Sequence, residues 1–421
     1  MVDLTPASKS APAVPPKMMS SLKVTDDSVL VINQLLLPHV IQWDPVHTIE
    51  DAFDSIKQMR IRGAPAIASL AALTVSLVLT RRLLNPLDAS TDPATTSAHA
   101  SAYHVPALNS PETLKNWLLP VLDYLESSRP TAVNLQEGMD RIRKTVKSSA
   151  TSAEGSSQEQ AKALAEGVVK TCQNIEKEDL ERCKEMSRIG AEWLVEKIKR
   201  EKGKDKLKVM TVCNTGSLAT SGYGTALGVI TALHETGHLD RAYYTQSTPY
   251  HQGSRLTSLE LSTLQIPSCM ICDTMVGSLF QHEDVDAVIV GADRIVKNGD
   301  TANKIGTYQA ASLAKMHGID FMVIAPVTTL DLTKATGKEI HIEQRPAVEA
   351  TQARGLDPLT GSQVIVQITP DGIGSGSEEW QKVYNPSFDV TPNKLISCVV
   401  TEKGVAVNQG GEHGIDLSGV C

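Results

Sequence analysis

An aspartate, an asparagine and a lysine fall within twelve positions in the stretch Gly291-Ala292-Asp293-Arg294-Ile295-Val296-Lys297-Asn298-Gly299-Asp300-Thr301-Ala302-Asn303-Lys304. A carboxyl group can trade a proton, while an amide and an ammonium group can hold an anion, so the set suits a small-molecule site that binds and does acid-base work. The stretch follows an apolar run, residues 285–290, that reads as a buried strand, and it leads into a helix-like run, residues 305–317. Its polar residues are therefore expected at a strand's carboxyl end, where open α/β sheets bind ligands.

Three other segments carry chemistry of the same kind. Cys213-Asn214-Thr215-Gly216-Ser217 opens a run of small residues directly after another apolar strand. Its glycines allow close backbone approach to a ligand, and amides at the start of the next helix can hold a phosphate; a tight turn around a buried, inert thiol fits the same residues. Arg60-Ile61-Arg62-Gly63-Ala64-Pro65 places guanidinium groups before a Pro-started helix, a phosphate cradle or an ordinary helix start, and Ser128-Arg129-Pro130-Thr131 is a second cationic loop of the same standing.

Some patterns are decoys. Gly222-x-Gly224-x-x-x-Gly228 sets its third glycine one position late for a dinucleotide fingerprint, so packing of a helix on a sheet explains it as well. His234-Glu235-Thr236-Gly237-His238 spells a zinc signature, but Gly237 reads as a helix end, which would keep the two imidazoles off one helical face. Cys269-x-x-Cys272 lies in an apolar strand without a partner pair, and core packing is the expectation. No metal and no cofactor is expected.

The elements that position these groups change character along the chain. Residues 1–21 are Pro-, Ser- and Ala-rich and read as a loose tail. Helix-period segments at 49–58, 66–82, 112–127, 134–147 and 160–200 make residues 22–203 a mainly helical domain, interrupted by low-complexity insertions at 85–111 and 147–159. From 204 to 421 short apolar runs alternate with helices: 207–212, 242–245, 268–272, 287–290, 321–325 and 364–368. The class is therefore α/β, with a doubly wound parallel sheet in the second domain.

The balance of 40 basic to 48 acidic side chains, a net charge of -8, argues against a sequence-independent grip on nucleic acid. The uncharged run 64–80 is shorter than the roughly 20 strongly apolar residues of a membrane span and reads as a buried helix. Seven cysteines without disulfide-like spacing and the lack of a signal-peptide pattern suit a reducing compartment. The cytoplasm, with the nucleus as a second location, is the expectation.

Taken in order, these segments, with Gln252-Gly253-Ser254-Arg255-Leu256-Thr257 and Asn385-Pro386-Ser387-Phe388-Asp389-Val390-Thr391-Pro392, resemble the methylthioribose-1-phosphate isomerases of methionine salvage. The resemblance spans about residues 22–401 apart from the two insertions. It implies a helical domain on a Rossmann-like domain, usually a homodimer, with a sugar phosphate held between the domains. By that similarity Asp293 is the proton donor and Cys213 assists the transition state. The substrate contacts it implies are Arg62, Gly63, Ala64, Arg129, Gln252, Asn303 and Lys304. Many members carry Glu-Thr-Arg-Pro where this chain has Gln246-Ser247-Thr248-Pro249, which removes a cation at Thr248. Relatives by fold are the regulatory subunits of the exchange factor for translation initiation factor two, which bind partners without catalysis, and the ribose-1,5-bisphosphate isomerases.

Overall fold

Two cores share one long helix. The structure, a computed structural model, describes residues 18–84, 102–148, 155–410 and 414–421. The first core forms around the helix Ala64–Leu84 (α2), which is apolar nearly all round and buried along most of its length, as such a helix must be. Around it pack Ile49–Lys57 (α1), Pro111–Ser127 (α3) and Val133–Ser148 (α4). Thr48 and Asp51 form a reciprocal cap that starts α1. The domain is not all helical: Leu22–Val24 (β1), Val29–Ile32 (β2) and Trp43–Val46 (β3) form an antiparallel sheet that the helix-period reading passed over.

Helix Ser157–Lys202 (α5) is 46 residues long, which at 1.5 Å per residue is about 70 Å. Its first half contributes Leu164, Val168, Cys172 and Ile175 to the first core, and its second half contributes Cys183, Met186, Leu194 and Ile198 to the next. The two cores thus divide inside α5, whereas residue 203, a left-handed glycine, only ends it. The insertion expected at 147–159 is shorter at both ends, since α4 runs to Ser148 and Ser156 caps α5; residues 149–154 lie outside the described residues. So do 85–101 of the other insertion and 1–17 of the expected tail, whose Ser21 is buried and donates from Oγ to Thr220 O at 2.7 Å.

The second half is a seven-stranded sheet in the order β16-β15-β10-β7-β4-β5-β6. Leu207–Thr211 (β4), Leu239–Thr245 (β5), Ser268–Ile271 (β6), Ala287–Val290 (β7), Asp320–Ile324 (β10) and Cys398–Thr401 (β15) are parallel, and Gly404–Val407 (β16) closes one edge antiparallel. One face carries α5 and Ala226–Glu235 (α6); the other carries Val276–His282 (α8) and Thr307–His317 (α9), α7 being Ser258–Thr263. From β4 the chain builds outward through β5 and β6, then returns to place β7 on the other side of β4. The carboxyl ends of β4 and β7 therefore flank the crevice where the winding reverses, the usual ligand position in such sheets.

Two expectations about strands fail. Residues 364–368 are not in the parallel sheet: Gln363–Gln367 (β13) pairs antiparallel with Gln352–Leu356 (β12) in a separate hairpin that leaves Ile365, Val366 and Ile368 exposed. β15 takes the sheet position instead. Cys269 and Cys272 do not pack in the core, because β6 is the open edge of the sheet and Cys269 is exposed. The glycine decoy resolves as packing: a Cβ on Gly228 would sit 2.3 Å from Ser187 Oγ of α5. Helix α6 ends at Glu235, and His238 lies beyond the left-handed Gly237 with its Nδ1 near Asp205 O, so His234 and His238 do not share a helical face.

Candidate active site

The sheet's crevice faces the first turn of α2 and the loop after α3, and a cavity opens between them. Arg62, Gly63, Ala64, Arg129, Cys213, Asp293 and Asn303 all line it, with Asn214, Thr215, Thr225 and Phe388. Seven of the nine residues expected from the sequence thus share one cavity; Lys304 and Gln252 are buried outside its lining, each interacting with Arg62.

Asp293 stands just past β7, its N–H donating to Ala302 O at 2.9 Å. Asn303 and Lys304 reach the same place by a route the sequence reading did not foresee. The chain does not loop directly into α9 but forms a hairpin, Arg294–Val296 (β8) with Thr301–Lys304 (β9), and β9 pairs antiparallel with Phe388–Thr391 (β14). The hairpin folds Lys304 back toward Asp293. The turn from β9 into α9 is locked by Asp389, whose carboxylate accepts from Gly306 N (2.7 Å) and Tyr308 N (3.0 Å). Burial lifts the Asp389 carboxyl to about 6 against those hydrogen bonds.

Burial also raises the pKa of Asp293, and Arg62, Arg129 and Lys304 pull the other way without cancelling it. Arg294 does not add to their pull: its Nη1 donates to Asp331 Oδ2 at 2.6 Å, facing away from its neighbour as strand alternation requires. Lys304 is 5% exposed, and burial followed by repulsion from Arg62 lowers its ammonium to about 8. Arg129 is lowered by burial and by Arg62, and it pairs with Glu343 at 3.4 Å. Burial works to raise Glu343, but Arg129 and Arg345 outweigh it and hold the carboxyl low. Glu343 was not foreseen; its only sequence signal is the alternation Glu343-x-Arg345.

Cys213 has φ +73, a conformation that costs a non-glycine residue about 1–2 kcal/mol. Two hydrogen bonds hold it there: its N–H donates to Ser247 Oγ (2.7 Å), and its carbonyl accepts from Thr257 Oγ1 (2.6 Å). Ser247 is in turn tied to Asp273, which also accepts from Thr248 N at 2.9 Å, so Thr248 shapes this loop where many relatives would have a cation. The Gln252 amide, oriented with its nitrogen donating to Ser247 O at 3.0 Å, presents its oxygen to Arg62 Nη2 at 3.1 Å. Gly63, at φ +111, lies so close to the Cys213 side of the cavity that a Cβ would sit 2.1 Å from Ala219 O.

A thiol on a strained backbone and a raised carboxyl group in one cavity, with two guanidinium groups in its lining and the Lys304 ammonium close enough to feel both, can hold an anion and move a proton on the same molecule. The initiation factor 2 subunit family matches residues 92–407, three quarters of the chain. Over 407 residues the chain is 60% identical to a methylthioribose-1-phosphate isomerase of Cryptococcus neoformans, covering 96% of this chain and 97% of that protein. It belongs to the methylthioribose-1-phosphate isomerases of that family. A Laccaria bicolor protein of the same name is 53% identical over 406 residues, 95% of this chain and 99% of its own. Among solved structures, the 5-methylthioribose 1-phosphate isomerase of Pyrococcus horikoshii superposes with a TM-score of 0.70 at 32% identity, covering 94% of this chain and 93% of that one. An A. fulgidus structure described as translation initiation factor eIF-2B, subunit delta, gives 0.68 at 34%, covering 93% and 96%. The same fold thus carries both descriptions, and the residues in the crevice must decide between them.

Proposed function

We propose that the chain is an aldose-ketose isomerase that converts 5-methylthioribose 1-phosphate to 5-methylthioribulose 1-phosphate in methionine salvage. The observation that carries this is the meeting of Cys213 and Asp293 on neighbouring strand tips, in one cavity with Arg62, Arg129 and Asn303. A scaffold subunit has no use for a protonatable carboxyl group and a thiol on a strained backbone facing one cavity.

The substrate's phosphate sits on its anomeric carbon, so ring opening frees no aldehyde and the ring oxygen needs an acid to help it leave. Asp293 supplies that proton, and its raised pKa keeps it available nearer neutrality than an ordinary carboxyl group. Arg62, Arg129 and Lys304, with the amides at the start of α2, neutralise the phosphate. Gln252 holds Arg62 in place, and Asn303 binds a sugar oxygen. Cys213 assists the hydrogen transfer between the two carbons, as an acid-base group in an enediol-like route or as a neighbour to a hydride shift. Running the reaction in deuterated water separates these routes, since only exchange with solvent labels the product.

The reading extends to a homodimer in the cytoplasm and nucleus. The free cysteines among the described residues suit a reducing compartment, and light scattering with cell fractionation tests both points. The activity itself is tested by incubating the purified protein with 5-methylthioribose 1-phosphate and with ribose 1,5-bisphosphate while following the ketose by magnetic resonance. Turnover of the first is expected. Turnover of the second alone would change the substrate, and turnover of neither, with co-purifying translation factors, would replace the enzyme by a regulatory subunit.

A further inference from the structure

A single acid outside the cavity controls the shape of the Cys213 loop. Glu260 on α7 is 2% exposed. Its Oε1 accepts from Asn214 Nδ2 at 2.8 Å and Leu218 N at 3.3 Å, and its Oε2 accepts from Ser217 N and Ser217 Oγ, both at 2.7 Å. Four donors on two oxygens fill the acceptor sites of an ionised carboxylate. Burial pushes its pKa up against these bonds, and among the described residues no cation helps to hold the charge. A buried carboxylate with no cationic partner is an expensive way to fill space. No other side chain of this size can accept from all four: a glutamine would aim an NH2 at one of the loop's own donors.

We infer that Glu260 is a positioning residue for the reaction, fixing residues 213–218 so that Cys213 and Asn214 face the bound sugar in one orientation. The inference rests on the isomerase reading above. Asn214 lines the cavity, and commitment of its nitrogen to Glu260 leaves Oδ1 as its remaining polar atom, an acceptor suited to a sugar hydroxyl. Three residues before Glu260, Thr257 holds the Cys213 carbonyl, and the chain just upstream carries Gln252 to Arg62. Residues 252–260 thus act as one template touching both the thiol loop and the phosphate-binding arginine. Gly216 completes the fit, because a Cβ there would lie 2.3 Å from Glu260 Oε2.

The test uses E260Q and S217A in the full chain, reading kcat, KM, thermal midpoint and the iodoacetamide alkylation rate of Cys213 relative to exposed Cys269. For folded E260Q, kcat should fall at least about tenfold with KM within about threefold, and the alkylation ratio should shift by more than about threefold. S217A, which loses one of the four donors, should show a smaller change in the same direction. An unchanged alkylation ratio, or wild-type kcat, in folded E260Q overturns the inference. If E260Q does not fold, S217A decides: lowered kcat at a native midpoint supports it, and wild-type kcat overturns it. Failure of the unmodified protein to turn over substrate would sink the functional reading instead, while the alkylation ratio would still report whether Glu260 sets the loop.

Discussion

Burial makes the fold favour the protonated form of Asp293, and that fixes what its replacement should do. Its folded pKa is raised above the unfolded value, so its contribution to stability is present at low pH and is lost as pH rises through the folded pKa. Asp293→Asn should therefore keep or raise the thermal midpoint at neutral pH while lowering kcat by about 10²–10⁴; a variant that keeps its turnover removes the residue from the chemistry. Lys304 carries the opposite dependence. Its ammonium titrates near 8 in the free protein, so kcat/KM should decline above that pH as the phosphate loses a cation. In K304M the KM should be higher throughout and that limb absent; a limb that persists assigns it to another group. Asp293 could be read from the chain because an acid just past an apolar strand is out of place unless it has work to do, and Lys304 because it shares a short polar stretch with that acid and Asn303. Glu260 could not: in Thr257-Ser258-Leu259-Glu260-Leu261 it looks like a solvated helix charge, and only the fold shows four donors waiting for it.

The elements were legible where an apolar run has strong ends and ambiguous where neighbours decide its partner. Residues 207–211 and 287–290 are buried strands by composition alone, and they are the two that carry Cys213 and Asp293. Residues 364–368 and 398–401 are equally rich in β-branched side chains, yet the first is an exposed hairpin strand and the second lies inside the sheet. Nothing local separates them, because β-propensity reports a fit to a half-buried surface whose other half is distant in sequence. Cys269 failed for the same reason, as an edge strand and a central strand share a pattern. The β8–β9 hairpin was hidden because Asn298-Gly299-Asp300 reads as a loop whether or not the flanks pair. Contacts between elements give a sharper test than strand identity. Gly63 joins the start of α2 to the loop after β4, with a positive φ and no room for a Cβ beside Ala219. Gly63→Ala should cost more than about 2 kcal/mol in chemical denaturation and raise KM, since α2 must back away from the cavity. A variant of native stability and KM would show that the two elements are not held this tightly.

At the level of the whole molecule, the cavity has walls from both cores, and among the described residues α5 is the only helix that both cores bury. Arg62 and Arg129 come from the first core, Cys213, Asp293 and Asn303 from the sheet tips, and Arg129 is also pinned to Glu343 from the far end of the chain. A ligand that bridges these walls binds only when they are assembled, so its binding energy adds to the cohesion of the whole: at 100 times Kd the gain is about 2.7 kcal/mol. The expected result is a single unfolding transition that substrate or product moves upward as one step. Hydrogen exchange should slow on both sides of the cavity, at 62–67 and 129–134 as well as at 213–225, and remain unchanged in the exposed β12–β13 hairpin. The double variant R62M/R129M should lose the shift while keeping the unliganded midpoint, because these guanidinium groups repel each other when no anion lies between them. If protection grew only along the sheet, the first core would be a support and not half of the site, and the phosphate would have to be held by Lys304 and the loop amides alone.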